Sequence, residues 1–297
     1  MNAASAVNVV PALVLCPLLL SVVVKTKAFF AGRRGAPLLQ PYRDVLKLLR
    51  KGAVYSRTTS WVFRAAPVVS LAAVLTAAAL VPFPGAGAPL AFAGDFLLFA
   101  GLMGLMRFLT VIGALDTGSA FEGMGASREV QFSALAEPAL LLALAAAARE
   151  SGSLSLSAML PGVSLGSVGP ALAAAALCVV FLCENARIPF DDPNTHLELT
   201  MIHEVMVLDY GGPDLAMISY GAALKFWVLG SLVVGVALPG VGGAPVWAGA
   251  LAGLGGMFAL AVLVGTVEST MARLRLLRVP QLLAGATGVA ALALILG

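Results

Sequence analysis

The chain has 297 residues, 60% of them apolar and only 11% charged, with a mean hydropathy of +0.98. A soluble domain carries roughly 25% charged residues, so a water-facing surface of ordinary extent is excluded. Eighteen Lys and Arg stand against fifteen Asp and Glu, and this small excess gives no reason to expect a nucleic acid partner. Cys16, Cys178 and Cys183 lie in or beside apolar runs and form no CxxC or His-rich ligand pattern. Structural zinc and iron–sulfur sites need closely grouped thiolates or imidazoles, so the chain is expected to bind no metal or cofactor of its own.

About twenty apolar residues at 1.5 Å rise cross a hydrocarbon core about 30 Å thick. On that measure the sequence predicts an all-α, polytopic transmembrane bundle, a single membrane domain over 1–297. Its eight spans fall near 5–24, 62–82, 96–115, 132–148, 168–185, 214–238, 245–265 and 280–297. The first is not read as a cleavable signal, because its basic cluster follows the apolar run. Fifteen of the eighteen Lys and Arg fall in the odd-numbered loops, ten of them between Lys25 and Arg64. The positive-inside rule then places the odd loops in the cytoplasm and both termini outside.

Between the first two spans, Leu38, Leu39, Tyr42, Val45, Leu46 and Leu49 recur at helical spacing, with Gln40, Arg43, Lys47, Arg50 and Lys51 opposite. This predicts an amphipathic helix over 38–52 lying along the membrane surface, as a lipid anchor or as a brace for a partner. Arg128 and Glu129 occupy the third loop. The fifth loop, 184–214, holds seven acids (Glu184, Asp191, Asp192, Glu198, Glu204, Asp209 and Asp214) against one cation, Arg187. A helix capped at Asn194 or Thr195 is expected to run to about Tyr210, with Leu197, Met201, Val205 and Leu208 as its apolar stripe. His196 and His203 share one face of that helix without a convincing third ligand, which makes them surface or partner-facing residues rather than a metal site.

Three charged residues stand inside spans: Arg107, Glu137 and Lys225. Each costs about 2.5–3.5 kcal/mol if it faces lipid, so such residues pair within the bundle or line a hydrated path. Glu184 and Glu268 extend the set towards the loops, and together they outline a chain of titratable groups. Plain structural neutralisation of Glu137 by Arg107 or Lys225 is the competing reading.

The fifth loop opens with Glu184-Asn185-Ala186-Arg187-Ile188-Pro189-Phe190-Asp191. This run resembles the ENxRIPFD signature of the subunit 1 family of respiratory complex I, which also contains the membrane subunits of energy-converting nickel–iron hydrogenases. The continuation Asp192-Pro193-Asn194-Thr195-His196-Leu197-Glu198-Leu199-Thr200 and then His203-Glu204-Val205-Met206 is similar to the hydrogenase branch, of formate hydrogenlyase type. Gly32-Arg33-Arg34-Gly35, with Leu39-Gln40-Pro41-Tyr42-Arg43-Asp44 and Lys47-Leu48-Leu49, resembles the family's first loop. Gly125-Ala126-Ser127-Arg128-Glu129 and the stretch from Glu268 to Pro280 resemble its third and seventh loops.

The resemblance implies a membrane anchor and ion-path subunit that performs no redox step itself, in a prokaryotic cytoplasmic membrane. Its partners would be hydrogenase large and small subunits and an iron–sulfur protein, which carry the iron–sulfur and nickel–iron centres, and antiporter-like membrane subunits. Glu137, matched by motif register, with Lys225, Arg107, Glu184, Glu268, Glu198 and Glu204 form the expected ion path. Arg33, Arg34, Arg43, Asp44, Lys47, Arg128, Glu129, Arg187, Asp191, Asp192, His196 and His203 form the expected dock for the soluble arm. The alternative is the quinone-binding subunit 1 of a true complex I. A stand-alone transporter would leave the charged loops without a purpose.

Overall fold

The computed structural model describes residues 3–162, 166–191, 201–238 and 245–297. The described residues are helical throughout, apart from turns and one isolated bridge between Phe83 and Ala86. In chain order the helices are α1 (Ala3–Phe30), the surface helix α2 (Gln40–Leu49), α3 (Trp61–Leu80), α4 (Asp95–Asp116), α5 (Ala120–Ser151), the short α6 (Leu156–Gly162), α7 (Val168–Glu184), α8 (Gly212–Ala237), α9 (Val246–Thr270) and α10 (Val279–Leu296). Seven are long and apolar enough to cross a membrane; α7, with 17 residues, is a shorter apolar helix at the position of the remaining expected span.

The helices pack through small residues, as helices in lipid must when no hydrophobic drive separates protein from solvent. α5 lies against α7 and α10, α3 against α4, and α1 against α9. α8 is the most enclosed of the long helices: from Ala223 to Val236 every side chain is buried. A polar residue on that stretch is therefore presented to protein, whichever way it points.

Two loop expectations change. The third loop, read as 116–131, is reduced to Thr117–Ser119, because α5 begins at Ala120 and is 32 residues long. At 1.5 Å per residue α5 spans about 48 Å, well beyond the hydrocarbon core. Its polar first turns, with Glu122, Arg128 and Glu129, lower the hydropathy of the segment without opposing helix formation. The fifth loop also differs. In place of a continuous helix to Tyr210, its described part holds one 3₁₀ turn, Glu204–Val207. Three amides of the described part are satisfied from a distance: Asp191 accepts from the Ile202 and His203 amides, and Glu122 accepts from the Asp209 amide. Expected loop residues Asp192, Asn194, Thr195, His196, Leu197 and Glu198 lie outside the described residues.

The loops that hold most of the Lys and Arg gather at one end of the bundle, hereafter the basic end. Met201, Ile202, Val205 and Met206 are buried there against α4, α5 and α10, whereas Leu208 of the expected stripe stays exposed. The seat is close: a Cβ on Gly125 of α5 would collide with Val205. Arg128 donates to the Met201 carbonyl at 2.8 Å, and Leu274 N–H to the Pro189 carbonyl at 3.0 Å. The start of α5, the fifth loop and the seventh loop are thereby knit together.

α2 lies against α1 and α8 through Pro41, Tyr42, Val45 and Leu48, while Leu38, Leu39, Leu46 and Leu49 remain exposed. The face that packs on protein is thus rotated from the expected stripe, and the remaining leucines are left for lipid.

Candidate functional site

The charged residues that hydropathy marks as out of place meet. Arg107 from α4, Glu184 from the end of α7 and Lys225 from α8 converge where these helices cross. The Arg107 guanidinium lies 2.5 Å from Glu184 Oε1, and Lys225 Nζ lies 2.9 Å from Glu184 Oε2. Each carboxylate oxygen therefore has its own cation. The three side chains are 8%, 10% and 4% exposed, respectively for Arg107, Lys225 and Glu184, so bulk water screens these pairs little. Glu129 and Glu137, two turns apart on α5, approach Arg107 at the longer distances of 3.9 and 4.0 Å. Glu129 is mostly covered, and Glu137 is 43% exposed on the outside of the bundle.

A second group lies nearer the loops. Glu268, fully buried at the end of α9, pairs with Lys27 of α1 at 2.8 Å and with Arg187 at 3.3 Å. Arg187 also sits over the Phe226 ring, 5.5 Å from its centroid. Between the two groups is a cavity of about 70 Å³, lined by Arg107, Glu129, Glu184, Arg187, His203 and Lys225 among apolar neighbours. Its size and polar walls suit a few water molecules, each able to find two to four partners. Burial, with Lys225 and Arg187 nearby, pushes the His203 imidazole down to about 4, against a smaller opposing effect of Asp191. His203 is therefore a neutral donor and acceptor on the cavity wall at ordinary pH.

The expected ion-path residues thus divide. Arg107, Glu137, Glu184 and Lys225 share one cluster, Glu268 belongs to the second, and Glu204 stands half-buried in the 3₁₀ turn. Glu198 lies outside the described residues. Of the expected docking residues, Arg33, Arg34, Arg43, Asp44 and Lys47 are exposed on the basic end, Asp44 accepting from Gln40 at 2.8 Å. Arg128 ties α5 to the fifth loop. Glu129, Arg187 and His203 face the cavity instead of an outer surface. Asp191 is 3% exposed and pairs with Arg273 at 3.1 Å, so it fastens the loop from within. Asp192 and His196 are outside the described residues. No group of three potential metal ligands occurs among the described residues.

Sequence reasoning missed three charged residues, two of them buried. Asp95, fully enclosed at the end opposite the basic one, accepts from the Ser155 hydroxyl at 2.8 Å and the Leu156 amide at 2.7 Å. Glu122 is 1% exposed and holds the Asp209 amide. Lys27 appeared only as one more loop cation. For Asp95 and Lys27 the signal was the same, a charged residue within three positions of a span's end; Glu122, seven residues past the third span, carried none.

The chain matches the family model described as NADH dehydrogenase over residues 3–296. It is 34% identical over 295 residues to formate hydrogenlyase subunit 4 of Escherichia coli (strain K12), covering 94% of this chain and 93% of that one. Hydrogenase-4 component C of the same strain is 34% identical over 230 residues, covering 76% and 72%. A subunit of the NADH-quinone oxidoreductase of Syntrophotalea carbinolica is 29% identical over 219 residues, covering 68% and 64%. A chain in the solved membrane-bound sulfane sulfur reductase, an archaeal respiratory membrane complex, superposes with a TM-score of 0.83 at 20% identity. That match covers 98% of this chain and 97% of the other, and it shows the shared fold.

Proposed function

The chain belongs to the NADH dehydrogenase family, among the membrane subunits of complex I-like assemblies, and from that premise we propose that it is the anchor and ion-path subunit of a hydrogenase-like energy-converting complex. Its basic end docks a soluble electron-transfer arm, and its buried charges couple electron flow there to proton or sodium movement. The redox centres, iron–sulfur and nickel–iron, belong to the partner subunits, and antiporter-like membrane subunits adjoin the bundle. In this reading the basic end faces the cytoplasm and both termini face outward, as the Lys and Arg asymmetry supports.

The observation that carries the proposal is the charge arrangement around Glu184. Two cations, Arg107 and Lys225, face three carboxylates, Glu184, Glu129 and Glu137. Glu184 takes the short contacts with both cations. Glu129 and Glu137 share what remains of Arg107, which leaves one negative charge over when all three are ionised. A proton or a passing cation would neutralise it, so the cluster can gain and lose one unit of positive charge without rebuilding its pairs. His203 and Arg187 on the cavity wall connect this cluster to Glu268 and Lys27 at the basic end. Glu137, partly exposed on the outer surface of the bundle, is the point from which charge would pass to a neighbouring membrane subunit.

Glu137→Gln keeps the shape of the side chain and removes its charge. The variant complex is expected to assemble, to keep hydrogenase activity with an artificial dye, and to lose most ion pumping in sealed vesicles. Pumping at the wild-type rate would reduce Glu137 to a structural neighbour of Arg107.

A second reading, a quinone-binding subunit 1, is favoured by one feature: a mostly apolar cavity of about 210 Å³ between α1, α2 and α8, lined by Pro17, Leu20, Val45, Leu48 and Tyr220. Quinone-dependent turnover by the purified complex would select that reading over the first.

A further inference from the structure

The motif Gly32-Arg33-Arg34-Gly35 forms a rigid cap on α1. Gly32 has φ +65°, the Arg33 amide donates to the Ala28 carbonyl at 2.8 Å, and the Gly32 amide donates to the Phe29 carbonyl at 3.0 Å. This pair of bonds around a left-handed glycine is the Schellman pattern of helix termination. Gly35, at φ +63°, then folds the chain back against the helix, where a Cβ would meet the Ala28 Cβ at 2.7 Å. Lys25 Nζ closes the hook by donating to the Arg34 carbonyl at 2.8 Å. The two arginines are therefore held in place at the helix end.

This hook forms one wall of an open groove of about 520 Å³ between the ends of α1 and α9, lined by Val24, Lys27, Ala28, Phe30, Arg33 and Ser269 among others. Two cations line it, Lys27 and Arg33. The acid at its edge, Glu268, is buried behind Lys27 and shared with Arg187. The carbonyl ends of α1 and α9 disfavour an anion by about half a charge each, which the two full charges of Lys27 and Arg33 outweigh.

Depth is set by helix length. α1 has 28 residues and α9 has 25, so at 1.5 Å per residue they measure about 42 and 38 Å. Both exceed a hydrocarbon core of about 30 Å, which brings their last turns into the headgroup layer. Phe29 and Phe30, 80% and 51% exposed at this level, offer apolar surface that suits the acyl boundary better than water. Below the groove, Val24 on α1 and Val262 and Leu263 on α9 present an exposed apolar path suited to an acyl chain.

We propose that this groove binds an anionic phospholipid, its phosphate held by Arg33 and Lys27, and its chains running down α1 and α9. Lys27 belongs both to the groove and to the Glu268 pair. A bound phosphate competes with Glu268 for that ammonium, which makes the lipid a modulator of the charge chain proposed above. The binding itself does not depend on that chain conducting ions.

The assembled complex, placed in phosphatidylcholine vesicles doped with a photoactivatable phosphatidylglycerol, tests the site directly. Cross-links are expected on residues 24–34 and 262–270, and a photoactivatable phosphatidylcholine should label them far less. Arg33→Gln should lower the phosphatidylglycerol label about fivefold, the loss of one basic contact near a membrane surface, while Arg33→Lys should retain most of it. Equal labelling by the two lipids would overturn the proposal, as would unchanged labelling of Arg33→Gln or absence of label from both segments. Pumping is not part of this readout, so a failed ion-path reading leaves the result interpretable.

Discussion

Two buried carboxylates at opposite ends of the bundle show why burial alone does not identify function. Asp95 is fully enclosed and is satisfied by neutral donors: the Ser155 hydroxyl, the Leu156 amide and, at 3.4 Å, the Phe92 amide. Glu184 has a side chain only 4% exposed but is held by two cations. Neutral donors fix a loop in place and have no charge to give. Cations set up an electrostatic balance that a proton or ion can shift. Asp95 is thus the latch between the turn before α4 and the start of α6, and Glu184 is the hub of a charge network.

The strongest test of the contrast removes each carboxyl in turn. Glu184→Ala leaves Arg107 and Lys225 buried without their acid, and breaking a buried pair in this way costs about 3–5 kcal/mol. The variant is expected to be poorly inserted or to lose thermal stability in detergent. Adding Lys225→Met should restore much of the yield, because one orphaned charge disappears. If the double variant is no more stable than Glu184→Ala, the two residues do not share an energetic network. Asp95→Ala should do less, since buried neutral hydrogen bonds are worth about 1 kcal/mol each and two or three are lost. Its melting temperature should fall while pumping per assembled complex stays at the wild-type level. A selective loss of pumping would show that the latch side also takes part in ion movement.

How legible this was from the chain follows the same division. Hydropathy marked the spans, and Arg107, Glu137 and Lys225 stood out because lipid does not tolerate them. What periodicity could not supply is who pairs with whom. Arg107 and Glu184 are 77 positions apart, and Arg187 and Glu268 are 81 apart, joined only by the packing of separate helices. Glu137 drew attention as an acid inside an apolar run, whereas the short contacts belong to Glu184, which sits at a span's last residue. Asp95 was passed over for the same reason: an acid at a span's first turn reads as an ordinary helix start. The length of α5 was hidden because Glu122, Arg128 and Glu129 look like loop residues, although they suit a helix whose polar face meets other charges.

A smaller effect, and one with a defined pH window, concerns His203. Its folded imidazole takes a proton at about 4, whereas an unfolded one does so near 6.5. Above that range both states are neutral and the residue contributes no pH dependence. As pH falls from about 6.5 towards 4, the opened state gains a proton that the folded state refuses, so the fifth loop loses stability. Protection factors over 201–210, taken relative to the intrinsic exchange rate at each pH, should therefore fall as pH drops through this window in wild type and less steeply in His203→Gln. Identical profiles would mean that the imidazole is not enclosed as the cavity geometry places it.

The smallest expected effect lies at the joint between α1 and the surface helix. Pro17 has no N–H, so the Leu13 carbonyl of α1 lacks its usual intrahelical donor. The Tyr220 hydroxyl of α8 supplies one at 2.8 Å. One residue on, the Val14 carbonyl accepts from the Tyr42 hydroxyl of α2. The two tyrosines thus tie α2 and α8 to the proline-interrupted segment of α1, but not equally. Tyr220→Phe leaves a carbonyl with no helical alternative inside the bundle, for about 1 kcal/mol or slightly more. Val14 can keep its bond from the Leu18 amide, so Tyr42→Phe should cost less, about 0.5 kcal/mol. The place to look is α2 itself: faster amide exchange or easier proteolysis over 40–49, with insertion of α1 unchanged. If Tyr42→Phe loosens α2 as much as a charged substitution at Val45 does, the hydroxyl is the main fastening of the surface helix. If neither readout changes, apolar packing of Pro41, Val45 and Leu48 holds the helix alone.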